Sequence, residues 1–371
     1  ERAASIGTLG AGIYSSSTDT QILENTVNTT PDAISIQRLL AEFVAEGAFQ
    51  VALEASSHAL VQNRIKAVKT DIAVFTNLSR DHLDYHGSMA EYAAAKRLLL
   101  SQPELAYVVL TANDPEHKNW LANIPETPSV VLYGQNISAA DMPTEYQYCV
   151  ANNVRYTAEG IALSVQSSWG DCELRLSLLA EFNVANVLAA ICCQLCLGKN
   201  LKQIAYIVQK LKPVAGRMEL YRRQGHATIV VDYAHTPDAL EKALLASKQH
   251  CHGKLICVFG CGGDRDVGKR SLMGEIAERL SDQVILTDDN VRSENPIDII
   301  QDILSGCINP EQILIEHDRK SAIKAAAEHA AAGDIILVAG KGHENYQIIG
   351  NQTLAYDERQ FVAFFQERKT V

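Results

Sequence analysis

The run Val284-Ile285-Leu286-Thr287-Asp288-Asp289-Asn290-Val291-Arg292 decides how this chain is read. Three consecutive apolar residues predict a strand buried on both faces, and the polar run behind them predicts the loop at its carboxyl end. The same arrangement recurs at Ile335-Ile336-Leu337-Val338, followed by Gly340-Lys341-Gly342-His343-Glu344. Ligands of an open α/β sheet sit in the crevice outside the carboxyl ends of its strands. Arg292 offers a planar fork for a carboxylate, and Glu344 offers a partner for an ammonium group. The pair is a candidate holder for one end of an amino acid; the competing reading is two loop charges in water.

Outward from these strands the alternation continues. Thr228 to Val231, Leu255 to Phe259 and Ile313 to Ile315 are further short apolar runs, with helical patterns between them. They predict a separate doubly wound domain over residues 216–371, entered through the linker Pro213-Val214-Ala215-Gly216. Residues 1–215 alternate in a similar way: Phe49 to Leu53, Ile72 to Thr76, Tyr107 to Leu110 and Val130 to Tyr133 predict a mostly parallel sheet covered by helices. From Tyr146 to Leu178 the period changes to two, which predicts an antiparallel meander, and Asn183 to Leu197 and Leu201 to Leu211 predict helices.

Composition narrows the class. A hydrophobic fraction of 47% with 21% charged residues is that of a soluble globular chain of two or three domains. The longest apolar run, around Val184 to Leu197, is interrupted by Asn186 and Gln194 and is too short to span a bilayer. A net charge of -11 argues against a nucleic-acid surface. The nine cysteines are odd in number and lie mostly in apolar segments, which predicts buried thiols in a reducing cytoplasm. Cys193-Gln194-Leu195-Cys196 has redox or zinc spacing but no second pair, so core packing is the reading adopted.

Several groups bear chemistry. Glu54 ends a strand, His82 lies just beyond another, and Lys96 sits in a helical pattern. Hard cations prefer oxygen ligands, so Glu54 is a natural magnesium ligand and His82 a less usual one. Lys96 joins them only if carbamylation turns its amine into an anionic oxygen donor; otherwise it is a solvated helix lysine. Thr29 or Thr30 can cap the helix of Ala33 to Phe43, with Pro31 in its first turn, and the same helix start can hold an anion. Thr236 and Pro237 read as an ordinary helix start, leaving Asp232 and His235 at a strand's end for ribose hydroxyls or a phosphate. Gly260-Cys261-Gly262-Gly263-Asp264-Arg265 is a strand-to-helix loop without a full dinucleotide fingerprint, and Arg265 is a second carboxylate anchor.

Seven motifs then fall in one order along essentially the whole chain: Asn28-Thr29-Thr30-Pro31-Asp32, Glu54 to Leu60, Phe75 to Gly87, Tyr92 to Lys96, Val231 to Leu240, Gly260 to Arg270 and Ala339 to Glu344. On these the sequence resembles the Mur ligases of peptidoglycan synthesis, and within them the diaminopimelate-adding branch. The resemblance implies an α/β chain. A central ATP-binding domain over residues 1–215, with a mostly parallel sheet plus a small antiparallel one, would precede a Rossmann-like, amino-acid-binding domain over 216–371. It implies that Asn28, Thr29, Thr30, Ser56, Gln62 and Arg64 hold a UDP-muramoyl dipeptide. Glu54, His82 and carbamylated Lys96 would be catalytic and organise Mg2+. Asn186, Arg217, Asp232 and His235 would contact ATP, and Arg265, Asp289, Asn290, Val291, Arg292, Gly340 and Glu344 would receive meso-diaminopimelate. The partners implied are these small molecules alone, for a cytoplasmic monomer with no nucleic acid and no membrane insertion.

The sequence departs from the family pattern twice. The family carries a glycine-rich P-loop ending in Gly-Lys-Thr, behind a uridine-binding domain. The chain contains neither, so it reads as a fragment that is nearly inactive by itself. Val291 stands where the diaminopimelate-adding branch typically has proline, which leaves that loop less constrained. The alternatives to this reading are a lysine-adding or folylpolyglutamate-type ligase, or a non-catalytic binding module.

Overall fold

The structure is a computed structural model that describes residues 2–15, 20–26, 28–79, 82–157 and 159–367. Two compact units are present. One comprises Glu1–Asn152, Ser164–Cys172 and Ala185–Ala205; the other comprises Asn153–Leu163, Glu173–Val184 and Tyr206–Val371. The segment read as a linker, Pro213 to Gly216, belongs to the second unit.

The first unit opens with a small sheet of which the alternation pattern announced only Phe49 to Leu53, a strand that belongs here and not with Ile72–Phe75, Tyr107–Thr111 and Ser129–Gln135. Strand Arg2–Gly7 pairs antiparallel with Gly10–Tyr14 and parallel with Ala48–Leu53, and Thr20–Glu24 closes the far edge. Its first hairpin is rich in alanine and glycine, which carry almost no two-residue hydrophobic signal. Helix Ala33–Ala45 buries Ile36, Leu39 and Phe43 completely. Their spacing of three and four residues puts them on one face. Leu39 and Phe43 pack against Ala4, Ile6, Ala11 and Ile13 of the small sheet. The helix is capped by Asp32, whose carboxylate accepts from the amides of Ile34 and Ser35 at 3.0 Å each. This corrects the expectation of a threonine cap with Pro31 in the first turn: the capping position is one residue beyond the proline.

The second sheet runs in the order Gly170–Leu176, Gly160–Ser167, Gln147–Thr157, Ser129–Gln135, Tyr107–Thr111, Ile72–Phe75. The last four of these strands are parallel to one another. The first three are joined by two-residue connections, which link only antiparallel neighbours. This is the meander that the change of period predicted. Helix Glu181–Cys196 follows it.

The second unit holds the sheet that the opening motif predicts. Its order is Glu219–Tyr221, Thr228–Asp232, Ile335–Ala339, Leu255–Phe259, Gln283–Leu286, Leu314–Ile315, with only the first strand antiparallel to its neighbour. Alternate side chains sort into two layers. Val230 and Leu337 join Leu240, Leu244 and Ile299 on one face, while Val231, Ile336 and Val338 join Ile323 and Val362 on the other. Burial on both faces is why these strands read as unbroken apolar runs. The chain leaves Thr228–Asp232 for Leu255–Phe259 and returns only later to fill the place between them with Ile335–Ala339. Such a change of direction opens a crevice at the carboxyl ends of the strands. A short hairpin, Tyr346–Ile349 with Gln352–Ala355, follows and was not read from the sequence.

Candidate functional site

In the first unit a polar cluster forms around Glu54. Its Oε2 accepts from the Thr8 hydroxyl at 2.8 Å, and Thr8 Oγ1 lies 3.1 Å from Thr29 Oγ1. Thr30 is completely buried; its hydroxyl donates to the Glu54 carbonyl at 2.6 Å and accepts from the Ser56 amide at 3.0 Å. Long-range partners thus claim the threonine that local pattern assigned to a helix cap. Arg64 donates through Nη1 to the Thr30 carbonyl at 2.7 Å and through Nε to Gln62 Oε1 at 2.9 Å. Ser56 caps the short helix Ser57–Val61, accepting from the Ala59 amide at 3.3 Å. Thr29, Thr30, Ser56, Gln62 and Arg64 are therefore brought together, while Asn28 is exposed nearby in sequence.

His82 takes a left-handed backbone, φ 54°, ahead of helix Leu83–His86. Its ring stands edge-on to Tyr92 at 5.8 Å, and Lys96 Nζ lies 5.2 Å from the same tyrosine ring. His82 and Lys96 are neighbours of one aromatic side chain. Arg80 and Asp81 of this motif lie outside the described residues. Among the described residues no three His, Cys, Asp or Glu side chains form a group that could hold a metal.

In the second unit the four loops at the carboxyl ends of the strands carry the remaining candidates. Gly260 and Gly263 belong to backbone packing: a Cβ there would meet the carbonyls of Thr287 and Val291 at 2.0 Å. The glycine-rich loop lies flush against the Thr287 to Val291 segment, which accounts for Gly260 and Gly263 without any phosphate. Val291 itself is buried in the hydrophobic core. Arg292 has φ 52°, and its Nη1 donates to the carbonyls of Gly263 at 2.8 Å and Asn290 at 3.3 Å. Its backbone is pinned to the following hairpin, with its amide donating to Ile348 at 3.1 Å and its carbonyl accepting from Gly350 at 2.7 Å. Arg265 donates to the Asp264 carbonyl at 3.1 Å.

Asp289 and Asn290 are buried and meet the second motif. Asn290 Nδ2 donates to Glu344 Oε2 at 3.0 Å, and Lys341 Nζ donates to the same oxygen at 2.9 Å and to Asn290 Oδ1 at 3.0 Å. Gly340 has φ 117°, and a Cβ there would stand 2.6 Å from Asp289 Oδ2. The two loops therefore meet, through Asn290, Lys341 and Glu344.

Beside them, Arg217 lies over the Tyr233 ring at 4.8 Å, and His343 and His235 flank that ring at 4.9 and 4.6 Å. His235 Nδ1 sits 2.8 Å from the Tyr233 carbonyl. Asp232 is turned inward, accepting from the amides of Met218 at 2.7 Å and Ala234 at 2.8 Å. Burial pushes its carboxyl up, opposed by those two amides and by Arg217. Asn186 is exposed on helix Glu181–Cys196, in the other unit from Arg217, Asp232 and His235. Thr8, Tyr233 and Lys341 were passed over in sequence; the lysine had a signal, its place inside the Gly-Lys-Gly-His-Glu motif.

Residues 2–194 match the Mur ligase middle domain, and residues 216–342 match the Mur ligase, glutamate ligase domain. The chain belongs to the Mur ligase family. Among its relatives are the UDP-N-acetylmuramoyl-L-alanyl-D-glutamate–2,6-diaminopimelate ligases of Vibrio vulnificus (strain YJ016), 44% identical over 360 residues, and of Vibrio cholerae serotype O1, 46% identical over 359 residues. Each alignment covers 97% of this chain and 70% of the relative. A solved structure of a UDP-N-acetylmuramoyl-L-alanyl-D-glutamate–2,6-diaminopimelate ligase superposes with a TM-score of 0.75 at 38% identity, covering all of this chain and 74% of that one.

Proposed function

We propose that the chain carries an ATP-dependent amide ligase that joins meso-diaminopimelate to UDP-N-acetylmuramoyl-L-alanyl-D-glutamate in peptidoglycan precursor synthesis. One observation carries the amino-acid half of this reading: the loop that bears Asp289 and Arg292 meets the loop that bears Glu344, through Asn290 and Lys341, at the carboxyl ends of the sheet's strands. A guanidinium fork and carboxylates in one crevice suit a ligand with both carboxylate and ammonium groups. Identity to two such ligases along nearly the whole chain supplies the rest.

A carboxylate is a poor acyl donor and must be activated. The D-glutamyl side-chain carboxylate takes the γ-phosphoryl group of ATP, giving ADP and an acyl phosphate. The free amine of the amino acid attacks the acyl carbon. The C–N bond forms, the C–O bond to phosphate breaks, and the nitrogen gives up its proton. In this reading Thr29, Thr30, Ser56, Gln62 and Arg64 bed the acceptor substrate, with Asn28 at the rim. Arg217, His235, Asp232 and Asn186 serve the nucleotide. Arg292 and Arg265 take the carboxylate at the far end of diaminopimelate, and Glu344 with Asp289 and Asn290 face its ammonium, on the bed set by Gly340 and Val291.

The Glu54 carboxylate is the kind of oxygen donor that suits magnesium, which keeps waters and takes one or two protein oxygens together with substrate phosphates. Glu54 and His82 would hold it, with Lys96 contributing once carbamylated, and it would offset charge on the transferring phosphoryl group. The proposal includes a division of labour between residues 1–215 and 216–371, action as a monomer, and a cytoplasmic setting. Among the described residues no helix is long and apolar enough to cross a membrane.

The test is phosphate release by the protein expressed from the natural start of its reading frame. Release that requires UDP-muramoyl dipeptide and meso-diaminopimelate together supports the reading. Release indifferent to the amino acid, or none, contradicts it.

A further inference from the structure

Lys341 is completely buried, with its ammonium between Asn290 and Glu344. We propose that Lys341 is a positioning residue: with the Ile348 amide it holds the orientation of the Asn290 amide, and it decides which oxygen of Glu344 meets the incoming ammonium group. This rests on the amino-acid-binding reading above and goes beyond it.

A lysine ammonium has three donors and no acceptor. Here they face Glu344 Oε2 at 2.9 Å, Asn290 Oδ1 at 3.0 Å and Asp289 Oδ1 at 3.6 Å. Asn290 Oδ1 also accepts from the Ile348 amide at 2.9 Å. Two donors on one atom identify it as the oxygen, so the amide nitrogen is forced toward Glu344. Glu344 Oε2 therefore has two protein donors, Lys341 and Asn290, and is committed to the fold. The Tyr346 hydroxyl is a further neighbour of Glu344. An arriving ammonium is then met by the other carboxylate oxygen, in one geometry rather than two.

Charge points the same way. Asp289 and Glu344 bring two negative charges and Lys341 one positive, so the trio is left with one unit of negative charge, the complement of one ligand ammonium. Take the lysine away and the two carboxylates lose the cation they share. Asn290 simultaneously loses one of the two donors to its oxygen and is held by the Ile348 amide alone.

The experiment compares wild-type protein, expressed from the natural start of its reading frame, with Lys341→Met, which keeps length and apolar bulk. The proposal predicts a KM for meso-diaminopimelate raised about 30-fold or more, the scale of a lost charge-assisted hydrogen bond. The KM for ATP and the kcat at saturating amino acid stay within about threefold. A lysine that merely holds the loop would move the three parameters together, and that outcome overturns the proposal, as does an unchanged amino-acid KM. Should Lys341→Met not fold, wild-type protein labelled with 15N-lysine gives the answer. The Lys341 ammonium resonance, assigned by its loss in Lys341→Arg, should shift with meso-diaminopimelate and not with ATP alone; no shift overturns the proposal. Wild-type protein that never uses diaminopimelate would overturn the functional reading itself, and this inference with it.

Discussion

Replacing Gly340 with alanine tests the pocket's geometry through a single methyl group. The new Cβ would stand 2.6 Å from Asp289 Oδ2, roughly 1 Å short of a comfortable contact. Neither side can yield easily. Asp289 Oδ1 accepts from the Asn290 amide at 2.6 Å, and the Gly340 amide donates to the Asp232 carbonyl at 3.1 Å. The backbone φ of 117° is one that L side chains rarely adopt. Strain of that kind costs about 1–3 kcal/mol, and forcing an atom into a packed site costs about 1–3 kcal/mol more. At about 2–4 °C per kcal/mol for a unit of this size, Gly340→Ala should lower the thermal midpoint by at least about 4 °C. Because the displaced atom belongs to Asp289, the KM for the amino acid should rise while that for ATP holds. Differential scanning calorimetry reads the first and steady-state kinetics the second. A midpoint within 1 °C of wild type, a margin set at roughly a quarter of the expected shift, would refute the reasoning.

Three further outcomes are expected. Arg292→Ala removes the fork, and discrimination for diaminopimelate over lysine should fall by about 2–5 kcal/mol while ATP use changes little; equal loss of both would remove Arg292 from the pocket. Glu358→Ala should cost about 3–5 kcal/mol in urea unfolding, because Arg319, completely buried with it and bonded at 3.2 Å through Nη2, is left uncompensated. The pair Arg319→Met, Glu358→Leu should cost less than the single change. His250 is held neutral by burial, with Nδ1 donating to the Thr157 carbonyl at 2.7 Å and Nε2 accepting from the Ala180 amide at 3.2 Å. Its lowered pKa means the unfolded chain takes up the proton first, so its contribution is intact above about pH 6.5 and lost as pH falls from there through the folded value. Between pH 7.5 and 5.5 the urea midpoint of wild type should drop more than that of His250→Gln, within the range around the unperturbed histidine pKa of about 6.5; equal drops would exclude His250 as the source.

Much of the second unit was legible because its strands are buried on both faces. Leu255 to Phe259 was read with the bounds it has, and Thr236 with Pro237 starts its helix as local chemistry demands, the threonine accepting from the Ala239 amide at 3.4 Å. Elements made of small residues or placed by distant contacts were not legible. The Arg2 to Tyr14 hairpin has too little apolar alternation, and the Tyr346 to Ala355 hairpin is a surface ribbon that matters through distant partners, its Ile348 amide reaching Asn290 and its Gly350 amide reaching Arg292. Thr30 misled for a related reason: the sequence displays its nearness to a helix start, while the Glu54 carbonyl that claims its hydroxyl is 24 residues away. At the site, the acidic and basic residues of both loops could be named in advance, but not that a lysine between them would be completely buried.

The central claim is that this crevice selects diaminopimelate by its second carboxylate. Protein expressed from the natural start of its reading frame should be given UDP-muramoyl dipeptide, ATP, magnesium and equal amounts of meso-diaminopimelate and L-lysine, and the products weighed by mass spectrometry. With lysine bound, Arg292 would have no ligand carboxylate to receive, so the diaminopimelate adduct should exceed the lysine adduct by about 30-fold or more. Comparable amounts of the two adducts, or an excess of the lysine product, would contradict the account.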